Sequence, residues 1–87
     1  MTGSKLPRLR PGVRLTHDPA HGELALLPEG VLVLNDTAAA VLALCDGASR
    51  VDHIVEQLRT EYEGVSAADV TELLDRLAQR RVVTFDD

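Results

Sequence analysis

The stretch Val31-Leu32-Val33-Leu34-Asn35-Asp36-Thr37-Ala38 decides how this chain is read. Four apolar residues run without a break into helix-capping side chains. A strand in a small sheet normally alternates, with one face on the core and the other in water. Here both faces are apolar, in a chain with little material to cover both. Either the strand is buried on both sides by its own protein, or one face or its free edge awaits another chain. Just after it, Asn35 or Asp36 caps a helix running to about Asp46. Ala38, Val41, Leu42 and Cys45 recur at helical spacing, and Gly47 stops the helix.

Upstream, residues 1–11 carry Gly3, Pro7 and Pro11 among basic and polar residues and read as a flexible N-terminal arm. Val13 to His17 alternates as a first strand. Asp18-Pro19-Ala20-His21-Gly22 is a turn, and Glu23 to Leu27 a second strand. Pro28-Glu29-Gly30 reverses the chain into the third strand, Val31 to Leu34.

Downstream, Ser49 and Asp52 have the spacing of a capping box opening a second helix, with Val51, Ile54, Val55, Leu58 and Tyr62 as its apolar face and Gly64 beyond its end. Ser66 and Asp69 repeat the box for a third helix, with Val65 and Val70 placed as a hydrophobic staple. Val70, Leu73, Leu74 and Leu77 form its buried stripe, and Arg80 and Arg81 suit its negative end. Val82 to Phe85 can add a terminal strand. The expected fold is α+β and winged helix-turn-helix-like: a small N-terminal antiparallel three-stranded β-meander followed by three α-helices, with residues 12–87 as one domain.

Composition narrows the function. Eighty-seven residues make one domain, and 45% hydrophobic content is too high for disorder. Tyr62 and Phe85 are the only aromatics, so base stacking has little to work with. The net charge of -5 repels phosphate backbones. A helix-turn-helix reader would place the start of the third helix in the major groove. That segment, Ala67-Ala68-Asp69-Val70-Thr71-Glu72, holds two carboxylates and no Arg, Lys, Asn or Gln, the reverse of what base readout needs. Phosphate loops, nucleophile elbows and convergent acid-base clusters are missing from the sequence, so an enzyme is not expected. His17 and His21 lie four apart across a turn without the further ligands zinc needs, and neither metal nor cofactor is expected. His53 reads as a solvated helix position. Cys45 is a lone thiol on an apolar stripe, packed rather than reactive, which suits a reducing, cytoplasmic setting. The first residues have no apolar signal-peptide core.

The segments Val33-Leu34-Asn35-Asp36-Thr37-Ala38, Leu44-Cys45-Asp46-Gly47 and Ile54-Val55 with Leu58, together with Arg10-Pro11-Gly12-Val13-Arg14-Leu15 and Pro28-Glu29-Gly30, resemble the PqqD family of pyrroloquinoline quinone (PQQ) biosynthesis. The resemblance covers roughly residues 7–83. It implies a RiPP recognition element: a non-catalytic peptide chaperone that takes the leader of a ribosomally made precursor as an extra strand beside the third strand, against the third helix. The implied partners are the precursor peptide PqqA and the radical SAM enzyme PqqE. Members often carry an aromatic near the end of the third helix, where this chain has Arg81-Val82-Val83, so no contact through that aromatic is expected here.

The residues support the same mode on their own. Strand addition takes affinity from backbone groups and selectivity from side-chain pockets. Two of Val31, Leu32, Val33 and Leu34 should face the core. The other two should line a groove with Leu73, Arg76, Leu77, Arg80 and Arg81, the arginines drawing in acidic leader residues; dipole complementation and solubility are the plainer reading of those three arginines. A free edge can also pair with its own copy, giving a monomer when dilute and a strand-exchanged homodimer in crystals. The alternatives are a recognition element of another RiPP pathway, a winged-helix DNA-binding regulator, and an assembly module that binds only an enzyme surface.

Overall fold

A computed structural model describes residues 5–86. Its elements are β1 (Leu6–Leu9), β2 (Arg14–Asp18), β3 (Gly22–Leu27), β4 (Gly30–Leu34), α1 (Asp36–Ala43), α2 (Val51–Arg59), α3 (Ala67–Gln79) and β5 (Val83–Asp86). Two antiparallel sheets result, β2-β3-β4 and β1-β5. The expected meander is present, and the helices follow it.

The core is aliphatic. Leu42 of α1, Ile54 and Leu58 of α2 and Leu74 of α3 are fully buried, with Val82 and Val83 beneath them. Burying each such side chain contributes about 1.5–3 kcal/mol. Ala25 closes the sheet against this core; it is fully buried and stands opposite Leu32.

Helix ends follow local chemistry. Asn35, rather than Asp36, caps α1: its backbone is extended and its Oδ1 accepts the Ala38 N–H at 2.8 Å. Asp36 then sits in the first turn, where the dipole favours a carboxylate. The helix stops at Ala43, short of Asp46, because the N–H groups of Leu44 and Cys45 turn back to Val41 and Leu42 in tighter i−3 bonds. Ser66 Oγ accepts the Asp69 N–H at 3.1 Å, so the box opening α3 forms in its forward half, with Val70 buried and Val65 half-buried.

The box expected at Ser49 and Asp52 does not form. Arg50 is the N-cap of α2 and offers no side-chain bond. Asp46 instead ties down the turn before α2, its Oδ1 accepting the N–H groups of Ala48 (2.9 Å) and Ser49 (3.0 Å). The Val51 N–H is met by the Lys5 carbonyl at 3.1 Å. Tyr62 falls past the end of α2 and is half-buried.

The flexible arm expected over residues 1–11 is corrected for Leu6–Leu9; residues 1–4 of that arm lie outside the described residues. β1 pairs with β5, Pro7 opposite Phe85 and Leu9 opposite Val83. Its other side reaches the loop before α2, where the Gly47 N–H donates to the Pro7 carbonyl at 3.0 Å. Proline misled the reading because it is excluded from central ladders only where its N–H is needed; here Pro7 is buried and acts as an acceptor. Gly47 has a φ of 78°, a conformation that favours glycine, and its open side packs against the Arg8 side chain. Arg8 and Asp86 pair at 2.8 Å across the strands, and the Lys5 ammonium sits 5.8 Å from the Phe85 ring centre. The Arg8–Asp86 pair is solvent-exposed and adds little beyond the backbone bonds.

Candidate functional site

β4 is the edge strand of its sheet, and its burial alternates despite the unbroken apolar sequence. Leu34 is buried and Leu32 half-buried, both on the helix side, while Val31 is 58% and Val33 61% exposed on the opposite face. Leu24 and Leu26 of β3 stand beside Val33 and Val31 in register, so these four side chains make an apolar outer face. The expectation of two core residues and two separate groove residues is therefore corrected. The same two leucines serve core and groove, while the Val31 and Val33 side chains lie on the outer face and Val33 borders the groove only at its edge.

The hydrogen-bond phase of the strand follows from the hairpin. Leu27 stands opposite Gly30 across the two-residue reversal Pro28-Glu29, which makes it the narrow, bonded pair. Alternation then commits the backbone groups of Gly30, Leu32 and Leu34 to β3. The N–H and C=O groups of Val31 and Val33 are left at the free edge. Among the described residues no other backbone group takes them up.

That edge opens on a groove of about 250 Å³ between β4 and α3. Leu32, Val33 and Leu34 line it from the strand, Asn35 and Ala38 from the start of α1, and Leu73, Arg76, Leu77 and Arg80 from α3. Four of the five α3 residues expected at a site are thus brought beside three of the four strand residues. Val31 contributes only edge backbone. Arg81 is not among the lining residues: it has a φ of 61°, the left-handed conformation that ends a helix, and is exposed beyond it. Asn35 and Ala38 had read only as cap and core. Their place in the wall follows from β4 running directly into α1.

Charge is uneven along the groove. Arg76 and Arg80 are exposed, and among the described residues no carboxylate pairs with either. Several titratable groups elsewhere are held by hydrogen bonds. Asp18 is held below its ordinary value of 3.8, chiefly by the hydrogen bond from His21 and then by the Ala20 N–H. His17 bonds Glu23 at 2.7 Å. Asp46 is lowered mainly by the Ala48 N–H. Burial, with a smaller effect from the Asp46 charge, pushes the Cys45 thiol up to about 12, and its Sγ donates to the Val41 carbonyl at 3.2 Å. Among the described residues no three His, Cys, Asp or Glu side chains gather as a metal site, and no helix is long and apolar enough to cross a membrane.

Known proteins resemble this chain in sequence and in fold. The chain is 40% identical over 87 residues to a protein of Xanthomonas euvesicatoria pv. vesicatoria (strain 85-10) named PqqA binding protein, covering 95% of each. Its fold matches the solution structure of the PqqD truncation of Methylobacterium extorquens PqqCD, a stand-alone RiPP recognition element, with a TM-score of 0.76 and 37% identity over 97% of this chain and 94% of that one. It also matches lasso peptide synthetase B1 complexed with the leader peptide, with a TM-score of 0.70 and 30% identity over 91% of this chain and 98% of that one. A family model described as coenzyme PQQ synthesis protein D matches residues 23–83, from β3 through α3 to the first residue of β5, and on that span and those relatives the chain belongs to the PqqD family.

Proposed function

We propose that this protein is a non-catalytic peptide chaperone of PQQ biosynthesis that binds the precursor peptide PqqA by strand addition along β4 and presents it to the radical SAM enzyme PqqE. The observation that carries the reading is the free edge at Val31 and Val33, facing a groove walled by α3. A guest strand there satisfies the open backbone groups, each bond netting about 0.5–1.5 kcal/mol. Its inward side chains meet Leu32, Leu34, Leu73 and Leu77, which supply the selectivity that backbone bonds lack. The order α2, turn, α3, β5 is that of a winged helix-turn-helix, and in this reading the motif holds a peptide instead of a duplex. The acidic start of α3, with Asp69 and Glu72 exposed, disfavours DNA.

The setting is cytoplasmic, consistent with a single buried thiol. The same edge can pair with a second copy, so the protein is a monomer when dilute and forms a strand-exchanged dimer at high concentration; sedimentation over a dilution series measures this.

The test is an NMR titration with PqqA. Amide shifts concentrated at residues 30–35 and 70–81 are the expected result. Shifts confined to other surfaces, or none at millimolar peptide, overturn it. A second reading, the recognition element of another RiPP pathway, is favoured by the likeness to the lasso peptide synthetase B1 protein. Tighter binding of a different leader than of PqqA would establish it.

A further inference from the structure

We infer that the groove is polar along its length and selects an antiparallel guest strand carrying an apolar residue followed, two and four positions towards its C-terminus, by carboxylates. The inference rests on the strand-addition reading above.

Two observations fix which end is which. Leu73 borders both the groove and a separate hollow that it shares with Thr37, so the N-terminal half of α3 lies at the start of α1, beyond Leu34. At the other end of α3, the Val82 carbonyl accepts the Arg10 N–H at 3.0 Å, and Gly12 two residues on lies against Pro28, where a Cβ would meet the ring at 3.4 Å. The C-terminal end of α3 therefore sits towards the Pro28 reversal and the beginning of β4. The strand and the helix run in opposite directions, with an apolar end near Leu34 and a cationic end near Leu32.

The spacing follows from the two repeats. Arg76 and Arg80 are one turn apart, about 6 Å along the axis. Alternate residues of a strand are about 6.7 Å apart and point the same way. Two carboxylates at i and i+2 of a guest thus match the two guanidiniums. Leu73 to Arg80 is about 10.5 Å, close to three strand residues, and the reach of an arginine takes up the remainder. Antiparallel pairing is the better ladder, and it places the apolar residue first in the guest. Because neither arginine has a carboxylate partner among the described residues, a guest acid does not have to displace one. Glu72, one turn before Arg76 on the same helix, is the internal competitor.

The experiment uses ten-residue synthetic peptides of valine and threonine background containing Leu-x-Glu-x-Glu, the reversed order Glu-x-Glu-x-Leu, and the glutamine version of each, measured by fluorescence anisotropy against the full chain. The unreversed acidic peptide should bind about three- to tenfold tighter than its glutamine version at low salt, as expected for two rim ion pairs. The preference should vanish in the Arg76→Gln, Arg80→Gln double variant, whose changes are exposed and leave the fold intact. The reversed peptide should show no acid preference. Equal binding of acidic and glutamine peptides, an unchanged preference in the double variant, or equal acid preference in both orders overturns the inference. A separate arm, a peptide N-methylated at alternate backbone nitrogens in each of the two phases, tests strand addition itself. If neither phase weakens binding, that reading fails; if one does while the acids have no effect, only the polarity is lost.

Discussion

β1 and β4 are both short strands with one side committed to a sheet, and they treat the other side differently. β1 and the residue before it give outer carbonyls to the chain: Lys5 to the Val51 N–H and Pro7 to the Gly47 N–H. β4 keeps the groups of Val31 and Val33 open beside a groove. Unmet backbone groups cost free energy unless water or a partner takes them. The closed edge is thus a stability element, joining the N-terminal strand to the start of α2, while the open edge, backed by the helices, is the one proposed to take a guest strand.

The largest expected effect concerns what both edges share. Leu74 of α3 is fully buried in the core on which both sheets pack. Leu74→Ala should cost about 2–5 kcal/mol in urea unfolding and lower peptide binding with it. A loss below about 1 kcal/mol would show that α3 is not the common support.

Next comes the same substitution made once in each strand. The Pro7 carbonyl is spent on Gly47, so alternation turns the Arg8 groups towards Thr84 of β5. Arg8→Pro should cost about 1–3 kcal/mol of stability, since it deletes a ladder bond. Val33→Pro removes a donor that no internal partner uses. It should leave the urea midpoint nearly unchanged yet weaken peptide binding about tenfold or more, from the lost bond and the distorted edge. Equal destabilisation by the two prolines would erase the contrast.

A smaller effect is expected at Arg81, whose left-handed backbone is the position glycine usually fills. Arg81→Gly should raise stability by about 0.5–1 kcal/mol and leave peptide affinity unchanged, because the side chain lies outside the groove. Loss of affinity would put Arg81 back into the site.

The smallest effect is pH-dependent and belongs to the closed edge. Asp46 is lowered from 3.8, so its contribution is fully present above that value and is lost as pH falls through the depressed folded value. Its carboxylate bonds the loop that β1 holds. Asp46→Asn should lie slightly below the parent in stability at pH 7, with the gap closing below about pH 4 in urea titrations. A gap independent of pH would mean that the charge is irrelevant to the loop.

Much of this could be read from residue types. The meander, the caps at Asn35 and Ser66, and the helical stripes of α1 and α3 are local: each depends on spacing within a few residues and on side chains that satisfy nearby backbone groups. The capping box at Ser49 and Asp52 does not form: Asp46 holds the Ser49 N–H, and a distant residue meets the first N–H of α2. Lys5 lies far in sequence from Val51, and no local pattern encodes that contact. The same holds for the arm, where two prolines look like a linker until β5 arrives to pair with it. At the site, the residue types at 31–34 and the stripe of α3 were visible, but not which way each side chain turned.

The sequence by itself determined where the meander, α1 and α3 begin, which faces are aliphatic, and that positive charge collects late in α3, because hydrophobic period and capping chemistry act over one or two turns. Only the tertiary structure decided that Val31 and Val33 offer backbone to the edge while Leu32 and Leu34 line the groove, that Arg76 and Arg80 border it while Arg81 does not, and that β1 is fastened down. Those outcomes depend on hydrogen-bond phase and on which segments meet after long excursions of the chain, and both are settled only when the whole core packs.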